Sequence, residues 1–402
     1  MKILLLADKM ESGGAETHVA TLARGLLHAG HTVGLCSCGG KIADALACEG
    51  VNCRKLPEIG RNPLAFLAAR RILAKEIRKN GYEILHAHTR MTALLTKRIC
   101  NPYMRKSVFF TSGGSRYAQK RQKRPVRVVT AHARFRADGI FRLLSDWGDA
   151  TVAVSEDLRA YVSDVYGLPA ECVTVIPNGI DAARFHPLPG GAERGKTNGE
   201  RENPPTEILF VSRLEPDCSL GAELVLQAAV ELAKKEDAPP FRVTIAGQGS
   251  MFSSLAALAG RVNFLVGRPL ARAVRPSGEK DLIGLYRRAE VFVGVSRAAM
   301  EASFCGCAVL LCGNEGYGGL LSPERRELAA GNFTCRGLPL PTGRGLTRDL
   351  LFLLQNPARR RANAEKTGEW MRQNFGAEGV CRAVEQVYRR QLWRLGKGDF
   401  PT

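Results

Sequence analysis

The chain has 402 residues, of which 45% are apolar and 24% charged, and these ordinary values exclude disordered, collagen-like and coiled-coil proteins. It is longer than one hydrophobic core usually organises, so we expect two domains. The net charge is +19, and positions 51–150 hold 22 basic but only 6 acidic residues, a local charge of +16. Such a field attracts phosphates, whether on lipids, nucleotides or nucleic acids.

The first apolar segment, Ile3 to Ala7, is cut short by Asp8 and Lys9, so it is not a signal peptide. No stretch approaches the roughly 20 apolar residues that a membrane-spanning helix needs. We therefore expect a cytoplasmic protein. Its 12 cysteines include no CxxC pair, which favours free, mostly buried thiols and no structural metal.

Apolar strands alternate with helical patterns along the first half of the chain. The predicted strands are 2–7, 32–36, 84–86, 127–130 and 150–154, and the predicted helices cover 19–27 and 64–79. This alternation predicts a parallel sheet covered on both faces, with ligands bound at the carboxyl ends of its strands.

Residues 186–206 are rich in Pro, Gly and charge, which is typical of a surface linker. The alternation then restarts. The predicted strands are 208–211, 243–246, 264–266, 291–293 and 309–311, with a helix over 221–232 and helical sequence from 350 onward. Two doubly wound domains joined in this way would face a central cleft that closes on a ligand.

Gly13-Gly14 lies between the first strand and the first helix, where free amides and the helix dipole favour an anionic ligand. A tight turn that binds nothing explains the pair equally well. His86, His88 and His132 lie at the ends of predicted strands, and packing at the sheet edge is the alternative to a ligand role. No Cys or carboxylate partners support a metal site for the HxH pair.

In the second half, Arg213 follows a strand and could grip a diphosphate. Gly247 opens a turn that allows close backbone approach, and Glu301 lies where a carboxylate could accept hydrogen bonds from sugar hydroxyls. Singly, each residue is also explained as a surface side chain or a turn.

In their order along the chain, the motifs resemble those of retaining family 4 glycosyltransferases, which have the GT-B fold. The segments include GGAETHVATLARGLLHAGHTV (13–33), VVTAHARF (128–135), VIPNGIDAARFHP (175–187), VTIAGQGS (243–250) and MEASFCGCAVLL (300–311). The resemblance covers roughly residues 1–375. It implies an acceptor-side domain over 1–187, a linker over 188–206 and a donor domain over 207–375. A C-terminal helix over 376–402 would pack back on the first domain.

The resemblance also implies roles for individual residues. Gly14 would lie beside the donor diphosphate and the acceptor, and His132 would hydrogen-bond the donor sugar as the catalytic residue. Arg213 would neutralise the leaving diphosphate, with Gly247 at the same site, and Glu301 would hold the ribose. Such enzymes use neither a metal nor a cofactor.

Two positions depart from the family pattern. Counting back from Glu301 puts the first glutamate of the motif at Val293, so we expect a remodelled turn around Arg297, which we assign to donor binding. Cys218 stands where the family has a diphosphate-binding lysine. The nucleotide site is therefore expected to be mostly kept and the sugar site altered.

The acceptor side is assigned to Gly13, His88, Arg116 and Lys120, the last two in a basic, aromatic-rich stretch over 101–125. With basic helix 64–79, this stretch suggests peripheral binding to an anionic membrane. No nucleic-acid motif accompanies the charge. We thus predict a hexosyltransferase that uses a nucleotide-sugar and a glycan or lipid-linked acceptor in cell-surface polysaccharide synthesis. The alternative is a degenerate glycosyltransferase-fold binding protein.

Overall fold

The computed structural model describes residues 1–11, 13–59, 62–105, 124–188 and 204–396, with the side chains of 101–105 and 143 left aside. The chain divides into two compact units. Unit 1 comprises Met1–Gly179 and Ala377–Thr402, and unit 2 comprises Ile180–Gly376. Within the described residues, no helix combines the length and the apolar character needed to cross a bilayer.

The described part of unit 1 contains seven strands, β1 (Lys2–Leu6), β2 (Thr32–Ser37), β3 (Asn52–Lys55), β4 (Ile84–Ala87), β5 (Val126–Ala131), β6 (Ala150–Ala153) and β7 (Val173–Val175). Its first six helices are α1 (Gly14–His28), α2 (Lys41–Cys48), α3 (Pro63–Asn80), α4 (Arg90–Arg105), α5 (Ile140–Leu144) and α6 (Glu156–Tyr166). The strands pair in parallel in the order β3-β2-β1-β4-β5-β6-β7. The predicted parallel α/β sheet is confirmed.

Among its described residues, unit 2 has six strands, β8 (Thr206–Val211), β9 (Phe241–Ala246), β10 (Ala271–Val274), β11 (Val291–Gly294), β12 (Ala308–Gly313) and β13 (Gly316–Leu320). Its helices are α7 (Leu220–Ala233), α8 (Phe252–Val266), α9 (Glu279–Arg288), α10 (Ser296–Phe304), α11 (Gly343–Gln355) and α12 (Pro357–Phe375). The order is β10-β9-β8-β11-β12-β13, parallel except for β13. Helix α13 (Ala377–Arg394) then packs against α1 in unit 1.

The strand predicted over 264–266 is wrong, because these residues form the last turn of α8. Leu255, Ala259 and Val262 recur at helical spacing on the buried face of that helix. Gly267 ends it in the left-handed conformation with φ +71°. The strand of this region comes later, at Ala271–Val274.

The boundary between the units lies at Gly179/Ile180, not at the predicted residue 187. Ile180 and Phe185 are 0% and 2% exposed in an apolar cluster of unit 2 that includes Tyr286. Burial of these two side chains ties residues 180–187 to the second unit. Of the predicted linker 188–206, Thr206 already belongs to β8, and residues 189–203 lie outside the described part.

All 12 cysteines are thiols outside any disulfide bond, as predicted from their spacing. Most of them are buried, and burial raises the pKa of the Cys36 thiol to about 12. Such thiols stay protonated and act as small apolar side chains in the core.

Candidate functional site

The carboxyl ends of β1, β4 and β5 form one edge of the unit 1 sheet. The strand order reverses beside β1, because the chain proceeds from β1 to β2 on one side and later returns to β4 on the other. Parallel α/β sheets bind ligands at such a switch point. Gly13 and Gly14 begin α1 here, His88 follows β4, and His132 follows β5.

His88 and His132 lie in direct contact at this edge. Nδ1 of His88 and Nε2 of His132 are 3.0 Å apart and share a hydrogen bond. The ring of His18, from the first turns of α1, lies edge-on to the His132 ring with 4.8 Å between the centroids. Three histidines from three separate segments therefore form one cluster beside the glycine pair.

His86 packs against His88 of this cluster and is itself held by hydrogen bonds. Its Nδ1 lies 2.6 Å from the hydroxyl of Tyr388 on α13, and its Nε2 lies 2.7 Å from the hydroxyl of Thr130. The rings of His86 and His88 are 4.2 Å apart, in agreement with the predicted common face of the HxH pair. Both imidazole nitrogens of the fully buried His86 are thus held by hydroxyl groups.

Burial sets the protonation of these rings. It lowers the pKa of His86 to about 3, with a smaller contribution from His132. Burial, followed by the neighbouring histidines, lowers the pKa of His88 well below its ordinary value. Both rings are neutral at pH 7, so each has one donor and one acceptor nitrogen. Nε2 of His88 is buried and has no hydrogen-bond partner among the described residues.

His18, His88 and His132 each place one ring nitrogen within 4.8 Å of the other two, a grouping that could hold a metal ion. In this arrangement His88 and His132 each use one ring nitrogen for the hydrogen bond between them. A metal would have to replace that bond. The sequence-based expectation of a site without metal stays a prediction.

The two glycines differ in what they require. A Cβ atom at Gly13, where φ is +155°, would lie 2.2 Å from Oε2 of Glu16. A Cβ atom at Gly14 would meet nothing within 4 Å. Internal packing therefore explains Gly13 in part, whereas the open space at Gly14 is free for a ligand to approach the backbone.

Arg213 follows β8 in unit 2 and lies on a loop closed by hydrogen bonds. The hydroxyl of Ser212 donates to its carbonyl oxygen at 2.8 Å, and the thiol of Cys218 lies 2.7 Å from the same oxygen. Its guanidinium is exposed, and among the described residues its ion-pair partner is Asp217 at 3.5 Å. The charge of Arg213 is therefore accessible to an anionic ligand.

Gly247 is needed by the protein's own backbone. It has φ +155°, and a Cβ atom there would lie 2.1 Å from the carbonyl oxygen of Ser212. The turn also receives a hydrogen bond from the amide of Leu214 to the carbonyl of Gln248, at 2.9 Å. The close backbone approach predicted at Gly247 is thus between the two loops that follow β8 and β9 in unit 2.

Glu301 and Arg297 form a buried pair within α10. Oε1 of Glu301 accepts a hydrogen bond from Nε of Arg297 at 2.9 Å, and Oε2 accepts one from the hydroxyl of Tyr286 at 3.2 Å. Glu301 and Arg297 are 6% and 7% exposed. Burial raises the pKa of Glu301, although Arg297 and Tyr286 oppose this shift. Each carboxylate oxygen can still accept a second hydrogen bond.

The assignment of Val293 as a substituted glutamate is wrong. Val293 is 0% exposed inside β11, paired with Phe210 and Leu310 of the neighbouring strands. Strand β11 ends at Gly294 and α10 begins at Ser296, so a single residue connects them. The connection is too short to hold a turn that carries a glutamate. Counting back from Glu301 without allowing for a deletion therefore placed the glutamate position inside the core.

The short connection is remodelled around Ser296, which has φ +56°. Its amide donates to the carbonyl of Phe333 at 3.0 Å, and Nδ2 of Asn332 lies 3.2 Å from its hydroxyl. Asn332 and Phe333 also have positive φ, at +53° and +56°. Positive φ in non-glycine residues is strained, and such strain collects at functional sites.

Two predicted acceptor-side residues, Arg116 and Lys120, lie outside the described residues. Sequence reasoning missed His18 and Tyr388. A histidine one turn after the glycine pair was a local signal for His18. Tyr388 is 302 positions from His86, and only the packing of α13 brings the two together.

A family model described as Glycosyltransferase Family 4 matches residues 12–184. The D-inositol 3-phosphate glycosyltransferase of Kineococcus radiotolerans is 29% identical over 254 residues, which are 61% of this chain and 58% of that protein. A glycogen synthase of Mycobacterium tuberculosis is 27% identical over 249 residues, 60% of this chain and 54% of the relative. The chain thus matches less than two thirds of either relative.

Solved structures extend the likeness to both units. A glycosyltransferase from Rickettsia africae superposes with a TM-score of 0.70 at 17% identity, covering 97% of this chain and 98% of that one. Anabaena HepE in complex with UDP-glucose gives 0.67 at 15% identity, with 96% and 99% covered. These likenesses establish the α/β fold of GT-B proteins. Residues 12–184, which the family model matches, are similar to glycosyltransferase family 4.

Proposed function

We propose that the chain transfers a hexose-type sugar, with retention, from a nucleotide-diphosphate donor to a glycan or lipid-linked acceptor in cell-surface polysaccharide synthesis. The histidine cluster beside Gly13 and Gly14, at the carboxyl edge of the unit 1 sheet, carries this proposal. The UDP-glucose bound to HepE supports a donor of this class.

His132 hydrogen-bonds the donor sugar in this proposal and orients its reacting face. The neutral ring of His88 fixes the His132 ring through the bond between Nδ1 and Nε2. Gly14 leaves space for the diphosphate at the start of α1, where free amides favour negative charge. Gly13 and His88 lie on the acceptor side.

During transfer, the bond between the sugar's anomeric carbon and the diphosphate oxygen breaks, and the acceptor oxygen bonds to that carbon. The acceptor's proton passes to the leaving diphosphate. Arg213 compensates the charge on the leaving group, and Glu301 uses its remaining lone pairs for the ribose. This scheme needs positioning and electrostatic stabilisation and no metal ion.

A panel of nucleotide-sugars tests the proposal. Thermal shift reports binding, and released nucleoside diphosphate reports turnover, with and without a chelator. We expect Arg213→Ala and His132→Ala to lose the response to the preferred donor. Arg359→Ala is the matched control, because Arg359 is an exposed arginine of α12 to which no role in binding is assigned. Turnover that persists in His132→Ala, or that disappears with the chelator, would contradict the assigned roles.

The second candidate is a glycosyltransferase-fold protein that binds a glycan or a nucleotide-sugar without turnover. The single-residue connection between β11 and α10 favours it, because the segment that would hold the sugar-binding carboxylate is missing. Cys218, which stands where the family has a diphosphate-binding lysine, also favours this second candidate. A donor that stabilises the protein but releases no diphosphate with any acceptor would select this candidate.

We also propose a cytoplasmic location with peripheral binding to an anionic membrane. Helix α3 carries exposed Leu64 and Leu67, at 75% and 45%, together with Arg70, Arg71 and Lys75. Basic residues near a bilayer surface contribute about 1 kcal/mol each. Sedimentation with phosphatidylglycerol vesicles at about 0.1 M salt tests this, and no binding there would remove the idea.

A further inference from the structure

Unit 2 has an apolar groove on the face formed by α7, α8 and α11. Helix α7 packs against both α8 and α11 and forms the floor between them. The groove has a volume of about 820 Å³. Its apolar lining comprises Leu226, Val230, Leu258, Val262, Leu265 and Leu351.

The rim of this groove is basic. Four cationic side chains line it, Lys235, Arg261, Arg344 and Arg348. Glu231 is the one acidic residue among the described lining residues, and its carboxylate pairs with Lys234 at 3.0 Å. The groove therefore suits an occupant that is apolar at its centre and anionic at its edge.

Two large apolar side chains protrude beside the groove at the end of α8. Phe264 is 86% exposed and Leu265 is 68% exposed, the latter also lining the groove. Arg261 lies one turn before them and Arg268 follows the helix end, both exposed. Adjacent exposed apolar side chains continuous with an apolar groove mark an interaction surface.

We propose that the groove and the Phe264–Leu265 pair form a docking surface for an anionic phospholipid bilayer. Phe264 and Leu265 enter the acyl region, the groove receives a lipid chain, and the basic rim meets the headgroup phosphates. A bare apolar surface with flanking Arg and Lys is the arrangement that interfacial membrane binding uses. This surface is separate from α3 and independent of sugar transfer.

Two other occupants fit the observations less well. A second copy of this chain seated face to face on the groove would bring the same cationic side chains against this basic rim. An acidic amphipathic helix of another protein could cover the groove, but Phe264 does not line the groove and would stay in water. A bilayer takes up both the protruding pair and the groove.

The test compares binding of the full chain to phosphatidylglycerol and phosphatidylcholine vesicles. We expect the double variant Phe264→Ser/Leu265→Ser to bind phosphatidylglycerol vesicles roughly tenfold or more weakly, because it loses two apolar side chains that the bilayer would bury. Leu340→Ser is the matched control, since Leu340 is 64% exposed in unit 2 and does not line the groove. Unchanged binding of the double variant would overturn the proposal.

The charge and the insertion are tested separately. Arg261→Glu/Arg344→Glu should weaken binding to phosphatidylglycerol vesicles, whereas Arg359→Glu should not. Brominated lipids should quench the fluorescence of Phe264→Trp beyond that of the unchanged chain, whether or not α3 also binds. A missing increase in quenching contradicts insertion. Loss of self-association in the serine double variant, with vesicle binding intact, would instead assign the surface to a second copy.

Discussion

Acid should destabilise unit 1 through its buried histidines. The folded-state pKa of His86 is about 3, against an ordinary value of 6.5, because burial disfavours the charged ring. Between these two values the unfolded chain binds a proton that the folded chain excludes. The contribution of neutral His86 is therefore complete above pH 6.5 and is lost progressively as the pH falls toward 3.

The size of the effect follows from proton linkage. Each histidine held neutral lowers the free energy of unfolding by about 1.4 kcal/mol per pH unit once the pH is below its unfolded-state pKa. The pKa of His88 is also lowered by burial, so two histidines act together. At about pH 5.5 we expect a loss of roughly 3 kcal/mol, a large part of the typical 5–15 kcal/mol stability of a domain.

Urea unfolding followed by tryptophan fluorescence can measure this in unit 1. Trp370 lies in unit 2, so Trp370→Phe leaves Trp147 and Trp393 as reporters of unit 1. In that background, His86→Asn removes one titrating ring but offers an amide to the Tyr388 hydroxyl. Below about pH 6 the free energy of unfolding should fall with decreasing pH in both proteins. The fall per pH unit should be about 1.4 kcal/mol smaller in the variant than in the parent.

His28→Asn is the matched control, because His28 is an exposed histidine of the same unit. It should leave the pH slope of the parent unchanged. The slope, rather than the stability at one pH, is the decisive quantity, since the lost bond to Thr130 costs a similar amount at every pH. An unchanged slope in His86→Asn would refute the argument that burial keeps this ring neutral.

Three further substitutions give sharp expectations. Glu301→Ala removes the carboxylate that pairs with the buried guanidinium of Arg297, so urea unfolding of unit 2 should show a loss of about 3–5 kcal/mol, and a loss below about 1 kcal/mol would contradict a buried ion pair. Gly247→Ala should destabilise more than Gly30→Ala, because both have positive φ but only Gly247 meets a backbone oxygen; equal melting temperatures would contradict this. Gly14→Ala should leave the melting temperature unchanged while weakening nucleotide-sugar binding, and unchanged binding would remove Gly14 from the donor site.

Most of the elements could be predicted because buried parallel strands are short apolar runs and covering helices have a 3.6-residue period. The method failed at Phe264–Val266, where three apolar residues in a row end a helix instead of forming a strand. Three residues are too few for periodicity to separate the two structures. The left-handed Gly267 after them was the local signal that a helix was ending.

The glycine pair, His88 and His132 could be selected from the sequence because each follows a strand of a parallel sheet, and the ends of such strands carry the ligand site. The order of motifs likewise pointed to the family. These features are local, since they depend on residues close together in the chain and on the regular geometry of the βα unit.

Tertiary packing alone decided the rest. Tyr388 reaches His86 because α13 returns to unit 1, and the neutral state of His86 and His88 follows from burial among neighbours distant in sequence. Val293 was misassigned because a count along the chain cannot detect a shortened connection, whereas strand pairing places this residue in the core. Hydrogen-bond partners and burial depend on which segments meet in space, and the sequence pattern of a single segment does not contain that information.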